Sequence, residues 1–278
     1  MKKILAAIDA FHFSEEQMDG FEYIAKEVKG KVTAIFLENI AAQYIPLASA
    51  YPELYALNYD PIILESVTER ERLMKQQLEL FQKMCSNSRI DFNIRESTGY
   101  AANEIIAESR FADLLLINNS TSFAAVYETD PPIFVKEVLA DAECPVMVLP
   151  EKVSPLKEIV FSYNGSYSST YAIREFTRLF PYFSDMPVNV VYVAEGNSTA
   201  IPSEKLIREY LDHHYDEVRF TVLKGEPSTE LLGLLINRTD CLVTYGAYNR
   251  SKVSRFFHRS DANSVLRTVN IPIFITHP

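Results

Sequence analysis

The sequence repeats itself once in the same order of parts, and that repeat restricts the possible folds more than any single motif. Near the N-terminus an apolar run, Lys3-Ile4-Leu5-Ala6-Ala7-Ile8-Asp9, ends in an acid. A polar turn follows, and Ser14-Glu15-Glu16-Gln17 opens a helical pattern whose Ser-to-Gln spacing matches a capping box. Past the middle, Glu158-Ile159-Val160-Phe161-Ser162-Tyr163-Asn164 is followed by Gly165-Ser166 and a helical pattern through Phe180. The apolar, β-branched runs Val32 to Leu37 and Val188 to Val193 correspond as second strands. Gly99-Tyr100-Ala101 precedes a helix holding Ile105 and Ile106, as Gly225-Glu226-Pro227 precedes one holding Leu231 and Leu232. Ala112 to Ile117 then parallels Thr239 to Thr244, and Cys144 to Pro150 parallels Asn270 to Thr276.

Short buried strands alternating with amphipathic helices imply βαβ units, right-handed crossovers and a parallel sheet covered on both faces. The 278 residues suit two such domains, expected at 1–151 and 156–278, with a linker from Pro150 to Pro155. The halves differ between Ile40 and Glu65, where the first is expected to carry a long loop with Tyr44, Tyr51, Tyr55 and Tyr59. Such a loop is a lid or contact surface, or packs on its own domain. A helix with Met74, Leu78, Phe81 and Cys85 on one face is expected to follow it.

A formal net charge of −10 argues against a nucleic-acid partner, because phosphate backbones require clustered Lys and Arg. It leaves room for one small nucleotide held by backbone N–H groups. The three cysteines, Cys85, Cys144 and Cys241, lack CxxC spacing and read as buried free thiols in a reducing compartment. Asp9 interrupts the first apolar run too early for a signal peptide, and no stretch is long enough to cross a membrane, so the expected location is cytoplasmic. His213 and His214 point about 100° apart on a helix and cannot share one metal; they read as C-terminal residues facing the helix dipole. His258 with Arg255 and Arg259 forms a local positive cluster, either an anion site or a solvated surface. No nucleophile elbow, zinc signature or Walker loop is present.

The first strand ending in an acid, the Gly-x-Pro turn, the Ala-Asp-Leu-Leu-Leu-Ile strand and the closing Cys-Pro-Val-Met-Val-Leu-Pro strand together resemble the universal stress protein family, once per half. The resemblance implies two tandem five-stranded parallel α/β domains in a pseudo-twofold arrangement. Members dimerise through the last strand, so Val146 to Leu149 and Ile273 to Thr276 are expected to meet as an intrachain pseudo-dimer, with a further homodimer left open. Many members bind ATP through Gly, two residues, Gly, nine residues, then Gly followed by Ser or Thr. The glycines let backbone N–H groups close on phosphate, and the hydroxyl sits at a helix N-terminus.

In the second half Gly246 and Ser260 match that frame, while Asn249 and Arg259 replace glycines. Asn tolerates positive φ, and a guanidinium pairs with phosphate in place of a backbone contact. Asn164 stands where the family has an acid, beside Gly165, and Val193 stands on the adenine side. In the first half Asp9 and Leu37 match the acid and adenine positions. There Asn118-Asn119-Ser120-Thr121 replaces the start of the glycine loop, and Pro131-Pro132 removes two N–H donors near the phosphate position. With the phosphate loop lost, Asp9 is read instead as a helix-capping or buried hydrogen-bonded carboxylate.

The expected function is a stress-response protein that binds a small ligand, with an adenine nucleotide such as ATP or AMP as the candidate, mainly in the second half and without efficient catalysis. A scaffold that recruits a protein partner is the alternative, and slow ATP hydrolysis a lower one. No membrane partner is expected, no catalytic residue is assigned, and the sequence names no metal.

Overall fold

The computed structural model describes residues 1–37, 60–87, 92–97, 99–123, 130–194, 199–246, 265–266 and 268–278, with backbone alone at 60–68 and 70. In the first half the elements run β1 (Lys2–Asp9), α1 (Glu15–Val28), β2 (Gly30–Leu37), α2 (Asp60–Asn87), β3 (Phe92–Ser97), α3 (Ala101–Ser109), β4 (Leu114–Asn118), α4 (Ile133–Asp141) and β5 (Val146–Leu149). The second half runs β6 (Glu158–Ser162), α5 (Tyr167–Leu179), a 3₁₀ turn (Pro181–Phe183) and β7 (Val188–Ala194). It continues through α6 (Glu204–Asp212), β8 (Val218–Lys224), α7 (Pro227–Leu235), β9 (Cys241–Gly246) and β10 (Ile273–Thr276).

The ten strands among the described residues form one sheet in the order β3-β2-β1-β4-β5-β10-β9-β6-β7-β8. Each half is parallel within itself, and the two join through an antiparallel β5–β10 pair, where Phe274 faces Met147 between the pairs Ile273–Val148 and Ile275–Val146. The repeat makes Met147 equivalent to Phe274, so exchanging the halves maps this register onto itself. That is the pseudo-twofold axis, and the expected meeting of the two last strands is borne out.

The strands alternate their side chains between two apolar layers. Ile4, Ala6 and Ile8 lie in one layer, which crosses the joint through Met147 and Phe274 to Phe161 and Phe176. Leu5 and Ala7 lie in the other, which runs through Val146 and Val148 to Ile273, Val243 and Val160. Phe274 packs edge-on against Phe176 and Phe180, at centroid distances of 5.3 and 6.1 Å. Burying aromatics of this size at the joint dominates its energetics, at roughly 25 cal/mol per Å² of apolar surface.

Two sequence expectations are adjusted. The long loop does not extend to Glu65, because α2 already begins at Asp60. Pro61 at the start of that helix is compatible with its first turn, where the missing N–H costs nothing. The four loop tyrosines lie outside the described residues. Met74 and Phe81 on α2 are buried, and Leu78 and Cys85 pack beside them, as their spacing implied. The capping box at α1 is half formed: the Ser14 hydroxyl accepts from the Gln17 N–H at 3.1 Å, while Gln17 Oε1 has no hydrogen-bond partner.

Candidate functional site

In each half the strand order reverses between two neighbours, β1 and β4 in the first, β6 and β9 in the second. Helices leave opposite faces of the sheet at such a point and open a crevice at the carboxyl ends of the strands.

In the second half, Gly246 ends β9 hard against the first turn of α5. A Cβ there would stand 2.0 Å from the Ser168 carbonyl oxygen and 2.6 Å from the Ser169 nitrogen. Glycine is therefore required by close approach of β9 to the helix start. Asn164 follows β6, and its Oδ1 accepts from the Ser166 N–H at 3.0 Å, an Asx turn that aims the chain into α5. Gly165 supports that turn at φ 77°, and a Cβ on it would also meet Pro202 at 2.5 Å. Ser166 caps α5 by accepting from Ser169 N–H at 3.2 Å. Val193 is half-buried near the end of β7, paired with Leu223. Asn164, Gly165 and Gly246 thus gather around the reversal between β6 and β9, with Val193 one strand outward. Asn249, Arg259 and Ser260, like His258, lie outside the described residues.

In the first half, Asp9 ends β1 with 6% exposure. Its Oδ1 accepts from Phe11 N–H at 2.9 Å and from His12 N–H at 3.2 Å, and its Oδ2 lies 3.1 Å from His12 Nδ1. Of the two structural roles expected for it, the buried hydrogen-bonded carboxylate is the one found; the α1 cap is Ser14. At the end of β4 the buried Asn118 accepts from the Ser120 N–H at 2.9 Å, so a second Asx turn stands where the glycine loop was absent. Leu37 is buried at the end of β2 and paired with Asp9. Pro132 caps α4 without any side-chain hydrogen bond. Around Asp9 a cleft of about 440 Å³ is lined by His12, Phe13, Ser14, Gln17, Ser120, Thr121, Ser122 and Glu151. Glu151 accepts from the Ser14 hydroxyl at 2.6 Å. A vestigial site near Asp9 is what its strand-end position implies; the part that the linker residue Glu151 plays in the wall is not apparent from the sequence.

The remaining titratable groups read as structure. Burial pushes the Cys144 thiol up to about 12, helped by the nearby Asp113 carboxylate, and raises Cys85 and Cys241 to about 11. Thiols held this high stay protonated near neutrality. His213 follows the last residue of α6, and its Nδ1 lies 2.6 Å from the Glu209 carbonyl, the helix-end role expected of it. Glu158, buried at the start of β6, bridges Arg219 and Arg238. Among the described residues no three His, Cys, Asp or Glu converge as a metal site. No helix among them is long and apolar enough to cross a membrane.

No family model matches the chain. In sequence it is 19% identical over 284 residues to a universal stress protein of Synechocystis, a match covering 98% of this chain and 99% of the relative. In structure it resembles a universal stress protein from Archaeoglobus fulgidus, with a TM-score of 0.68, 17% identity, and coverage of 99% of this chain and 96% of the other. A functionally unknown protein from Pseudomonas aeruginosa aligns over 100% of this chain and 93% of its own, with a TM-score of 0.55 and 11% identity. The end-to-end sequence match, on a fold that repeats one unit twice, makes this chain similar over its whole length to universal stress proteins.

Proposed function

We propose that the chain is a stress-response protein that holds an adenine nucleotide, ATP or AMP, at the β6–β9 reversal of its second half and does not turn it over efficiently. The observation that carries this reading is the approach of Gly246 to the start of α5, which brings the carboxyl ends of β6 and β9 together with the first turn of a helix at the strand-order reversal, where such sheets bind ligands. Backbone N–H groups at a helix start favour phosphate oxygens. Asn164 at the crevice supplies an amide whose N–H₂ suits a ribose hydroxyl. An amide in place of a carboxylate holds magnesium poorly, which favours binding over hydrolysis. Arg259 and Ser260 would serve the phosphates, as their spacing from Gly246 implies.

The test is a thermal-shift titration with ATP, ADP and AMP, with and without magnesium, on the wild type, Asn164→Leu and Ser120→Tyr. A ligand that binds only the folded chain adds about 2.7 kcal/mol at a hundredfold excess over its dissociation constant. The expected result is a nucleotide-dependent rise that Asn164→Leu reduces and Ser120→Tyr, in the first-half cleft, leaves intact. Gly246 is unsuited to this purpose, because any side chain there would strike α5 whether or not a ligand binds. Absence of a shift in the wild type at millimolar nucleotide would refute the reading.

A further inference from the structure

We propose that the first-half cleft is a binding site for a small organic cation, an amine whose ammonium N–H groups meet Gln17, Asp9 and Glu151. The proposal is independent of nucleotide binding in the second half.

The hydrogen-bond inventory of the cleft is unbalanced. Among the described residues two carboxylates, Asp9 and Glu151, line it, no Lys or Arg does, and His12 is the one basic side chain. Asp9 is held by Phe11 and His12, and Glu151 Oε1 takes the Ser14 hydroxyl. Glu151 accepts through two oxygens, so its second oxygen adds further acceptor capacity. The decisive group is Gln17. It is only 6% exposed, it lines the cleft, and its Oε1 is buried without a partner. A capping box would have turned that side chain back to its own helix start; here it does not turn back, and the helix is capped by Ser14 alone. A buried acceptor left unsatisfied costs about 1–3 kcal/mol, so such a group marks a place where a donor belongs.

What enters must therefore bring N–H or O–H donors, and the two carboxylates select positive charge among such molecules. An anion meets the opposite, two carboxylates in the wall. The volume, about 440 Å³, falls in the range of small-molecule sites. Phe13 and the Ser120–Ser122 wall suit a short aliphatic chain bearing amines, with hydroxyls tolerated.

Isothermal titration of the full chain at low salt with 1,4-diaminobutane, and with 1,4-butanediol as its uncharged isostere, tests this directly. The expected result is one diamine per chain, with the diol weaker by about tenfold or more. Glu151→Gln, an exposed change that leaves the fold intact, weakens the diamine about fivefold, and Gln17→Leu does the same. Glu204→Gln, a carboxylate on the remote α6, leaves it unchanged, as does Asn164→Leu in the other half. Equal binding of the diol, equal loss in Glu204→Gln, loss in Asn164→Leu, or no heat with the diamine at millimolar concentration would each overturn the proposal.

Discussion

The two reversal points of this sheet are built on one plan and finished with different chemistry. After β1, Asp9 folds the chain by accepting the Phe11 N–H; after β6, Asn164 does the same by accepting the Ser166 N–H. Both turns need only a side-chain oxygen two residues back, which a carboxylate and an amide supply equally. The fold is therefore indifferent to the charge at this position. The exits from the neighbouring strands differ as well: Asn118 closes a side-chain turn after β4, while Gly246 lets β9 touch the backbone of α5. One half finishes as an acidic cleft, the other as a helix start packed against a glycine at the strand end. The comparison teaches that a duplicated scaffold keeps its turns and core, while residues at the strand ends diverge in charge and shape.

The sharpest way to break the comparison is at the joint the halves share. Phe274→Ala removes a fully buried ring at the centre of the β5–β10 pair and should cost about 3–5 kcal/mol in equilibrium urea unfolding. Met147→Ala, its pseudo-symmetric partner, should cost about 2–5 kcal/mol. A loss under about 1 kcal/mol for both would mean that the joint does not hold the halves together.

Gly246→Ala should cost about 3 kcal/mol, because the added methyl strikes backbone rather than a mobile side chain. Gly233 on α7 is the control: nothing lies within 4 Å of a Cβ there, and alanine should stabilise the helix by up to about 1 kcal/mol.

Asp9→Ala should cost about 1–3 kcal/mol by orphaning the turn donors, whereas Asp9→Asn, which copies the second half, should cost less than about 1 kcal/mol. If Asn is as harmful as Ala, the equivalence of the two turns fails.

The smallest expected effect concerns the helix caps. Glu226 caps α7 by accepting from Ser228 and Thr229, whose hydroxyls and N–H groups hold its carboxyl down at about 2; α3 in the first half begins at Tyr100 with no side-chain cap. A depressed carboxyl contributes stability above its ordinary value of 4.5 and loses it as pH falls from there toward 2. Urea midpoints at about pH 6 and pH 3 should therefore drop further for the wild type than for Glu226→Gln.

The inner strands were legible because each is a short, apolar, β-branched run buried on both faces, and the repeat doubled the signal. β3 and β8 were not read from residues. They are sheet edges, where polar residues such as Asn93 and Arg95, or Arg219 and Thr221, break the continuous apolar run that marked the inner strands; the period-2 alternation left is the signature of a half-buried strand and was legible had it been sought. Their presence came only with the resemblance. At the site, Asp9, Asn164 and Gly246 were singled out by the resemblance, from its acid position and its glycine motif. The closeness of Gly246 to α5 was not, because the contact joins residues far apart in sequence. Glu151 was invisible for the same reason: a linker residue gains meaning only when the fold carries it across to Ser14. Gln17 was noticed as a capping residue, and its unpaired oxygen emerges only once the side chain is placed.

The central claim is that the halves share a scaffold and hold ligands of opposite charge, with nucleotide confined to the second. Measuring the stoichiometry of ATP binding by isothermal titration on wild type, Asn164→Leu and Ser120→Tyr tests it most directly. The account predicts one nucleotide per chain, weakened by Asn164→Leu and unaffected by Ser120→Tyr. Two nucleotides per chain, or binding lost in Ser120→Tyr and kept in Asn164→Leu, would contradict it.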